Sequence, residues 1–271
     1  MCKLIPYFLS MPIKFTHKPG LVVYITCGDP SLEVSRDVAL AAARAGADVI
    51  ELGVPFSDPV ADGPVIQRAS ERALAHGTDL AGVLSIAREI RRQSPVGIIV
   101  FSYLNPILQF GLEKFCSAAK DAGADGALVT DLPVEEAGDY LQAMNAHELA
   151  PVFLAAPTST DERLKAVARR SRGFVYAISR TGITGTRQEV AGDARALVQR
   201  LRRFTNLPIA VGFGVSTPGQ FAEVGEFADA AVIGSAIVQR IEQNAGREAE
   251  AVGEFLELLR TNVREPEDGS L

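Results

Sequence analysis

Val49-Ile50-Glu51-Leu52-Gly53-Val54-Pro55-Phe56-Ser57-Asp58-Pro59-Val60-Ala61-Asp62-Gly63-Pro64 is the stretch from which the rest of the chain can be read. The run Val49 to Leu52 is short and apolar, with a carboxylate near its end. Turn residues follow, carrying two more carboxylates. Pro64 then opens a helical pattern, where its missing N–H costs nothing. Locally this is strand, long loop, helix. In a parallel α/β protein, the carboxyl-terminal edge of the strands is where chemistry is placed.

The same unit recurs on both sides of this stretch. Buried-looking strands are expected at Leu21–Thr26, Asp48–Leu52, Gly97–Phe101, Gly126–Thr130, Val152–Ala155, Phe174–Ile178, Pro208–Val211 and Ala230–Ile233. Apolar on almost every residue, they read as strands covered on both faces. Helical patterns alternate with them: Leu32–Ala45, Pro64–His76, Leu80–Arg92, Leu112–Ala122, Glu135–His147, Glu162–Arg170, Asp193–Phe204, Thr217–Val224, a helix from Ser235 to Asn244, and Arg247–Asn262. Ser179 to Val190 reads as the longest loop of the second half, and the connection bearing Tyr103, Asn105 and Pro106 as a loop. An internal echo, Ala45-Gly46-Ala47-Asp48 and Ala122-Gly123-Ala124-Asp125, with Phe227-Ala228-Asp229 similar, precedes strands two, four and eight.

Eight right-handed βα units close into a barrel. The expected fold is α/β, a single (β/α)8 TIM barrel with extra helices. It forms one domain over residues 1–271, with residues 1–20 as an N-terminal cap and 263–271 as a frayed tail. An open doubly wound sheet would want Gly-x-Gly-x-x-Gly after the first strand, and Cys27-Gly28-Asp29-Pro30 is not that.

Composition narrows the function. The 271 residues are 47% hydrophobic and 22% charged, with net charge -6, which argues against nucleic acid or an anionic membrane as partner. The arginine clusters at 169–172 and 200–203 end helical patterns, where positive charge suits the helix dipole. Cys2, Cys27 and Cys116 form no C-x-x-C pair, so a reducing, cytoplasmic setting is expected. His17, His76 and His147 have no ligand spacing, and no metal site is expected. No run approaches the roughly 20 apolar residues of a membrane span. The start lacks a signal-peptide cleavage pattern, and Met11 is an alternative start.

The strand tips supply the candidates. Glycines after strands six to eight (Gly182, Gly185, Gly212, Gly214, Gly234), with Ser235 opening a helix, fit either tight turns or a phosphate cradle; three adjacent loops favour phosphate. Glu51 shares a strand face with Val49. Facing inward it would be a general acid/base with a pKa raised by desolvation; otherwise it caps a neighbouring loop. Asp62 reads, on its own, as a helix N-cap, and Asp58 as a turn former. No lysine sits at a strand tip, so Schiff-base chemistry lacks its nucleophile.

Several segments together are diagnostic. Glu51 to Pro64, Tyr24-Ile-Thr-Cys-Gly-Asp-Pro30, Tyr103-Leu-Asn-Pro106, Asp131-Leu-Pro-Val-Glu-Glu136, Tyr176 to Gly185, Val211-Gly-Phe-Gly-Val215 and Ile233-Gly-Ser-Ala-Ile-Val238 resemble the tryptophan synthase alpha chain family, in register from about residue 21 to 260. The resemblance implies a lyase cleaving indole-3-glycerol phosphate to indole and glyceraldehyde 3-phosphate. It implies that Glu51 protonates the ring carbon bearing the side chain and then helps remove the adjacent hydroxyl proton. Asp62 would accept a hydrogen bond from the indole N–H. The implied substrate contacts are Tyr24, Tyr103, Tyr176, Thr184, Gly185, Phe213, Gly214, Gly234 and Ser235, with 179–190 as a mobile lid. The implied partner is a beta chain carrying pyridoxal phosphate, in an alpha2beta2 heterotetramer, touched by Asp58, Pro59, Asn105 and Pro133; no cofactor is implied for this chain. Cys27 and Ile183 depart from the family's usual residues, and residues 1–20 lack its opening amphipathic helix. Other phosphate-binding barrels, such as phosphoribosylanthranilate isomerase or indoleglycerol-phosphate synthase, fit the glycines but not Glu51 to Pro64. A stand-alone lyase that needs no partner would carry the same two acids. A purely regulatory binding subunit would not need them, and intact Glu51 and Asp62 argue against it.

Overall fold

A computed structural model describes residues 13–178, 187–212 and 214–261. Its sheet is wholly parallel, with strands β1 (Gly20–Thr26), β2 (Val49–Gly53), β3 (Gly97–Ser102), β4 (Gly126–Val129), β5 (Ala150–Val152), β6 (Leu154–Ala155), β7 (Val175–Ile178), β8 (Ile209–Gly212) and β9 (Ala230–Ile233). They lie in the order β5-β4-β3-β2-β1-β9-β8-β7-β6. The two ends of that order, β5 and β6, are separated in the chain by Phe153 alone. They are halves of one stave, so nine segments make eight staves and the ring closes. The Arg172 N–H donates to Pro151 O at 2.9 Å and the Tyr176 N–H to Phe153 O at 3.2 Å, tying this stave to the β7 side. The expected Val152–Ala155 strand is divided at Phe153, where pairing passes from β4 on one side to β7 on the other.

The helices are α1 (Leu32–Arg44), α2 (Pro64–Ala75), α3 (Leu80–Gln93), α4 (Leu104–Phe110), α5 (Leu112–Asp121), α6 (Gly138–Ala146), α7 (Asp161–Arg170), α8 (Arg187–Arg202), α9 (Pro218–Gly225), α10 (Ser235–Gln243) and α11 (Glu248–Arg260). Their starts are written in the sequence. Ser31 accepts from the Val34 N–H, Asp79 from the Gly82 N–H, and Thr217 forms a capping box with Gln220. Three boundaries differ from expectation. The Asn105-Pro106 connection is the short helix α4; Pro106 falls in its first turn, where no intrahelical donor is needed. The helix α8 begins at Arg187 rather than Asp193, and α6 at Gly138 rather than Glu135. Positions 179–186 of the expected lid lie outside the described residues.

Alternation along the staves makes two apolar layers. Leu21, Val23, Ile25, Ile50, Leu52, Ile98 and Val100 face the helices. Val22, Val49, Ile99, Leu128, Val152, Phe174, Ala210, Ala230 and Val232 fill the barrel. Ile13 joins that inner cluster, and Phe15 packs edge-on to Phe174 at 5.9 Å, covering the end at which the strands begin.

The internal echo has a physical purpose. Asp48, Asp125 and Asp229 each stand just before an even-numbered stave. Each takes an N–H at the start of the preceding stave: Leu21 at 2.8 Å, Ile98 at 2.7 Å and Ile209 at 2.7 Å. An N–H at the edge of the ladder needs an acceptor once it is buried, and a carboxylate placed there supplies one. The glycines before the first two aspartates have φ of +89° and +80°, a left-handed turn that L side chains resist. The arginine clusters prove structural: Arg200 and Arg203 hold Asp161, Arg202 holds Asp229, and Arg170 and Arg172 donate to main-chain carbonyls.

Candidate active site

On β2, Val49 and Glu51 point into the barrel while Ile50 and Leu52 point to the helices. Parallel register places Glu51 beside Tyr24 of β1 and Ile99 of β3. Its side chain is fully buried, and neither carboxylate oxygen has a hydrogen-bond partner among the described residues. Desolvation alone therefore acts on it, and raises its pKa to about 8. The competing expectation, a carboxylate capping a neighbouring loop, finds no donor among the described residues.

Asp62 lies at the end of the loop from Val54 to Gly63. Val54 N–H donates to Phe101 O at 2.9 Å, and the Gln67 side chain donates to Asp62 O at 2.8 Å, so both ends of the loop are tied down. Asp62 is not a helix cap. The N-cap of α2 is Gly63, with no side-chain hydrogen bond. The Asp62 carboxylate instead accepts from the Tyr103 hydroxyl at 3.0 Å. Burial pushes its pKa up to about 6, and the Tyr103 bond opposes the rise.

Tyr24 and Tyr176 show that the two acids share one space. Burial raises both phenols first. The charge of Asp62 and, further down, that of Glu51 then act on Tyr24; on Tyr176 Glu51 comes before Asp62. Tyr24 packs edge-on to Phe101, with ring centroids 5.0 Å apart. Tyr24, Ala69 and Val238, with Phe101, Val65 and Ile66, form an apolar cluster at the mouth. Sequence reasoning places Phe101 at a strand tip without giving it a role, and misses the first turn of α2 as part of the site. The signal is present for Phe101, two residues beyond inward-facing Ile99. For Val65 and Ile66 nothing local distinguishes a helix's core face from a pocket wall.

Across the mouth, Gly214 has φ +65° with open space where a Cβ would stand. Gly234 is the N-cap of α10 and makes no side-chain cap bond, and exposed Ser235 begins that helix. Gly234 lies beside Tyr24, 3.6 Å from a notional Cβ. A helix start without a capping side chain, on the rim of an aromatic pocket, suits a bound anion. Thr184, Gly185 and Phe213 lie outside the described residues.

The residues expected to meet a partner lie on the same edge. Exposed Asp58, with Pro59 and strongly exposed Val60, lines an open cavity of about 290 Å³ with Phe56, Gln67 and Glu71. Asn105 is exposed on α4. Pro133 lines a second cavity of about 270 Å³ with Asp131, Phe153, Leu154 and Arg163. Among the described residues no His/Cys/Asp/Glu group has metal-binding geometry, and no helix is long and apolar enough to cross a membrane.

Two acids with separated pKa values, sunk in an aromatic mouth opposite a glycine-lined helix start, define a (β/α)8-barrel enzyme with a carboxylate site. Residues 12–266 match the family model described as tryptophan synthase alpha chain, and the chain belongs to that family. A tryptophan synthase alpha chain of Solibacter usitatus is 53% identical over 233 residues, which is 86% of this chain and 87% of the relative. The crystal structure of tryptophan synthase subunit alpha from Legionella pneumophila is 37% identical with a TM-score of 0.82, covering 89% of this chain and 91% of that one. A tryptophan synthase structure from M. tuberculosis, in an aminoacrylate- and BRD0059-bound form, is 34% identical with a TM-score of 0.83, covering 92% and 94%. The chain is thus a lyase of tryptophan biosynthesis that cleaves indole-3-glycerol phosphate to indole and glyceraldehyde 3-phosphate.

Proposed function

We propose that Glu51 and Asp62 divide this cleavage between them, and that the reading is carried by one observation: Glu51 is buried without a hydrogen-bond partner among the described residues, while Asp62, acting on the same two tyrosines, has one. Near neutral pH the first is protonated and the second ionised. Environments that separate two carboxylates in this way assign the acid and the stabiliser.

Glu51 delivers its proton to the indole ring carbon that bears the glycerol phosphate. The ring becomes a cation centred on its nitrogen, whose N–H donates to the Asp62 carboxylate. The Glu51 carboxylate then takes the proton of the adjacent hydroxyl. The carbon–carbon bond breaks, its electron pair returns to the ring, and the hydroxyl carbon leaves as the aldehyde. Glu51 ends protonated, ready for the next turnover. Because the ring takes up the electrons, no lysine and no metal is required of this chain.

Tyr24, Tyr176 and Phe213 hold the indole. Gly185, Gly214, Gly234 and Ser235 hold the phosphate, and Thr184 contacts the substrate. The chain works as the alpha subunit of an alpha2beta2 tryptophan synthase. Asp58, Pro59, Asn105 and Pro133 touch the beta chain, which carries the pyridoxal phosphate; this chain carries no cofactor. The exposed apolar Val60 and Leu108 on the same edge fit such a contact. The assembly is cytoplasmic, in keeping with free, buried Cys27 and Cys116.

The test is release of indole from indole-3-glycerol phosphate, measured with and without a beta chain. A large increase with the partner supports the two-subunit reading; an unchanged rate refutes it. Loss of cleavage in Asp62→Asn supports the division of labour, and wild-type turnover overturns it.

A further inference from the structure

Tyr103 is expected to touch substrate, but its hydroxyl is already engaged. It donates to Asp62 Oδ2 at 3.0 Å and accepts from the Ala61 N–H at 2.9 Å. Its ring packs on Phe56, with centroids 5.1 Å apart. One side chain thus holds the loop from Val54 to Gly63 near its start and again near its end.

Tyr103 is itself held. It is buried, follows directly on β3 and is the N-cap residue of α4. Its carbonyl accepts from Ser102 Oγ at 2.9 Å, and the next N–H, of Leu104, donates to Asp131 Oδ1 at 2.7 Å. Asp62 has no comparable support. Among the described residues Tyr103 is the only donor to its carboxylate, and that bond occupies Oδ2 alone. Oδ1, without a donor among the described residues, faces the substrate's donor in this reading.

We propose that Tyr103 is the positioning residue for Asp62: through its hydroxyl, the β3–α4 corner and Asp131 set where the Asp62 carboxylate points. The proposal rests on the role given to Asp62 above. It also connects the expected partner edge to the site, because Asn105 lies in the first turn of α4, two residues from Tyr103.

Tyr103→Phe keeps the ring and its contact with Phe56 and removes only the hydroxyl. The expected result is a fall of about tenfold or more in kcat with KM changed less than about threefold, as for a group that orients rather than binds. The acid limb of the kcat profile is expected to move toward neutral pH, because the lost bond favoured the ionised carboxylate. Among the described residues the other titratable groups sensing Asp62 are Tyr24 and Tyr176, which also sense Glu51 on β2; the substitution leaves all three in place. In an Asp62→Asn background, Tyr103→Phe is expected to add nothing, since the two act as one unit. A carboxyl-carbon magnetic resonance titration of Asp62 in wild type and Tyr103→Phe gives the same answer without turnover: its midpoint rises in the variant. Wild-type kcat and acid limb in Tyr103→Phe, or effects that multiply with Asp62→Asn, overturn the proposal. Wild-type turnover in Asp62→Asn itself would instead overturn the underlying assignment of Asp62.

Discussion

Replacing Glu51 by glutamine is expected to abolish cleavage and, at neutral and alkaline pH, to stabilise the protein. The ordinary pKa of 4.5 becomes about 8 in the folded chain, because the carboxylate is fully buried with no donor among the described residues. The folded form therefore holds this proton more tightly than the unfolded form. Stability is lost as pH rises above 4.5, and the loss is complete at about pH 8. At ~1.36 kcal/mol per pH unit, the residue costs about 3 kcal/mol at pH 7 and about 5 kcal/mol above pH 8. Against a total of roughly 5–15 kcal/mol for a folded domain, that is a large term. Glutamine cannot ionise, and its buried amide resembles the neutral acid in polarity. The variant and the wild type are thus expected to have similar stability at pH 5, to diverge at about 1.4 kcal/mol per unit up to about pH 8, and to differ by a constant amount above it. Urea denaturation at pH 5, 7 and 9 measures the divergence, and indole release measures the loss of activity. Parallel stability curves would show that Glu51 is not desolvated in the folded protein. Normal turnover would show that it is not the acid.

Cleavage is expected to be fastest between about pH 6 and about pH 8, with Asp62 ionised and Glu51 protonated; a steady-state pH–rate profile with one monotonic limb would contradict the pairing. Asp62→Asn is expected to lose activity without the ~0.5–2 kcal/mol that loss of a helix cap costs, since Gly63 occupies that position; urea titration decides. Gly53→Ala would bring a Cβ to 2.4 Å from the Tyr24 hydroxyl, in a mouth where Tyr24 is buried. The expected cost is about 1–3 kcal/mol and a weakened grip on indole, seen as a raised KM. Asp125→Ala leaves the Ile98 N–H without its side-chain acceptor and takes the ion-pair partner from Arg91, which keeps the Gly123 and Ser94 carbonyls, at the end of the barrel opposite the site. It is expected to cost about 1–3 kcal/mol in stability while kcat of the folded enzyme is unchanged; a drop in kcat would contradict this separation.

How far each feature is legible depends on the range of the interaction behind it. The staves can be read because a strand covered on both faces is apolar at every position, and Val22 to Ile25 or Ile98 to Val100 carry that pattern locally. The helix starts at Ser31, Asp79 and Thr217 are equally local, each a side chain meeting an N–H three residues on. Helix α4 escapes such reading because Asn105-Pro106 looks like a turn unless the residues are known to lie in a first turn. The echo at Asp48, Asp125 and Asp229 is visible, but its meaning is not. Each carboxylate's partner is on another strand, 20 to 27 residues away.

At the site the same division holds. Residue order alone contains the alternation that makes a barrel, puts Glu51 at a strand tip on the face of Val49, and carries the motifs of the family. Those depend on period and spacing, which the chain states directly. Two facts required the folded arrangement: Glu51 has no donor among the described residues, and Asp62 accepts from Tyr103 rather than capping α2. Desolvation and orientation are properties of the space between elements. Glu51 and Asp62 stand on β2 and at the end of its loop, Tyr103 follows β3, and the parallel pairing of β2 with β3 brings them to one mouth.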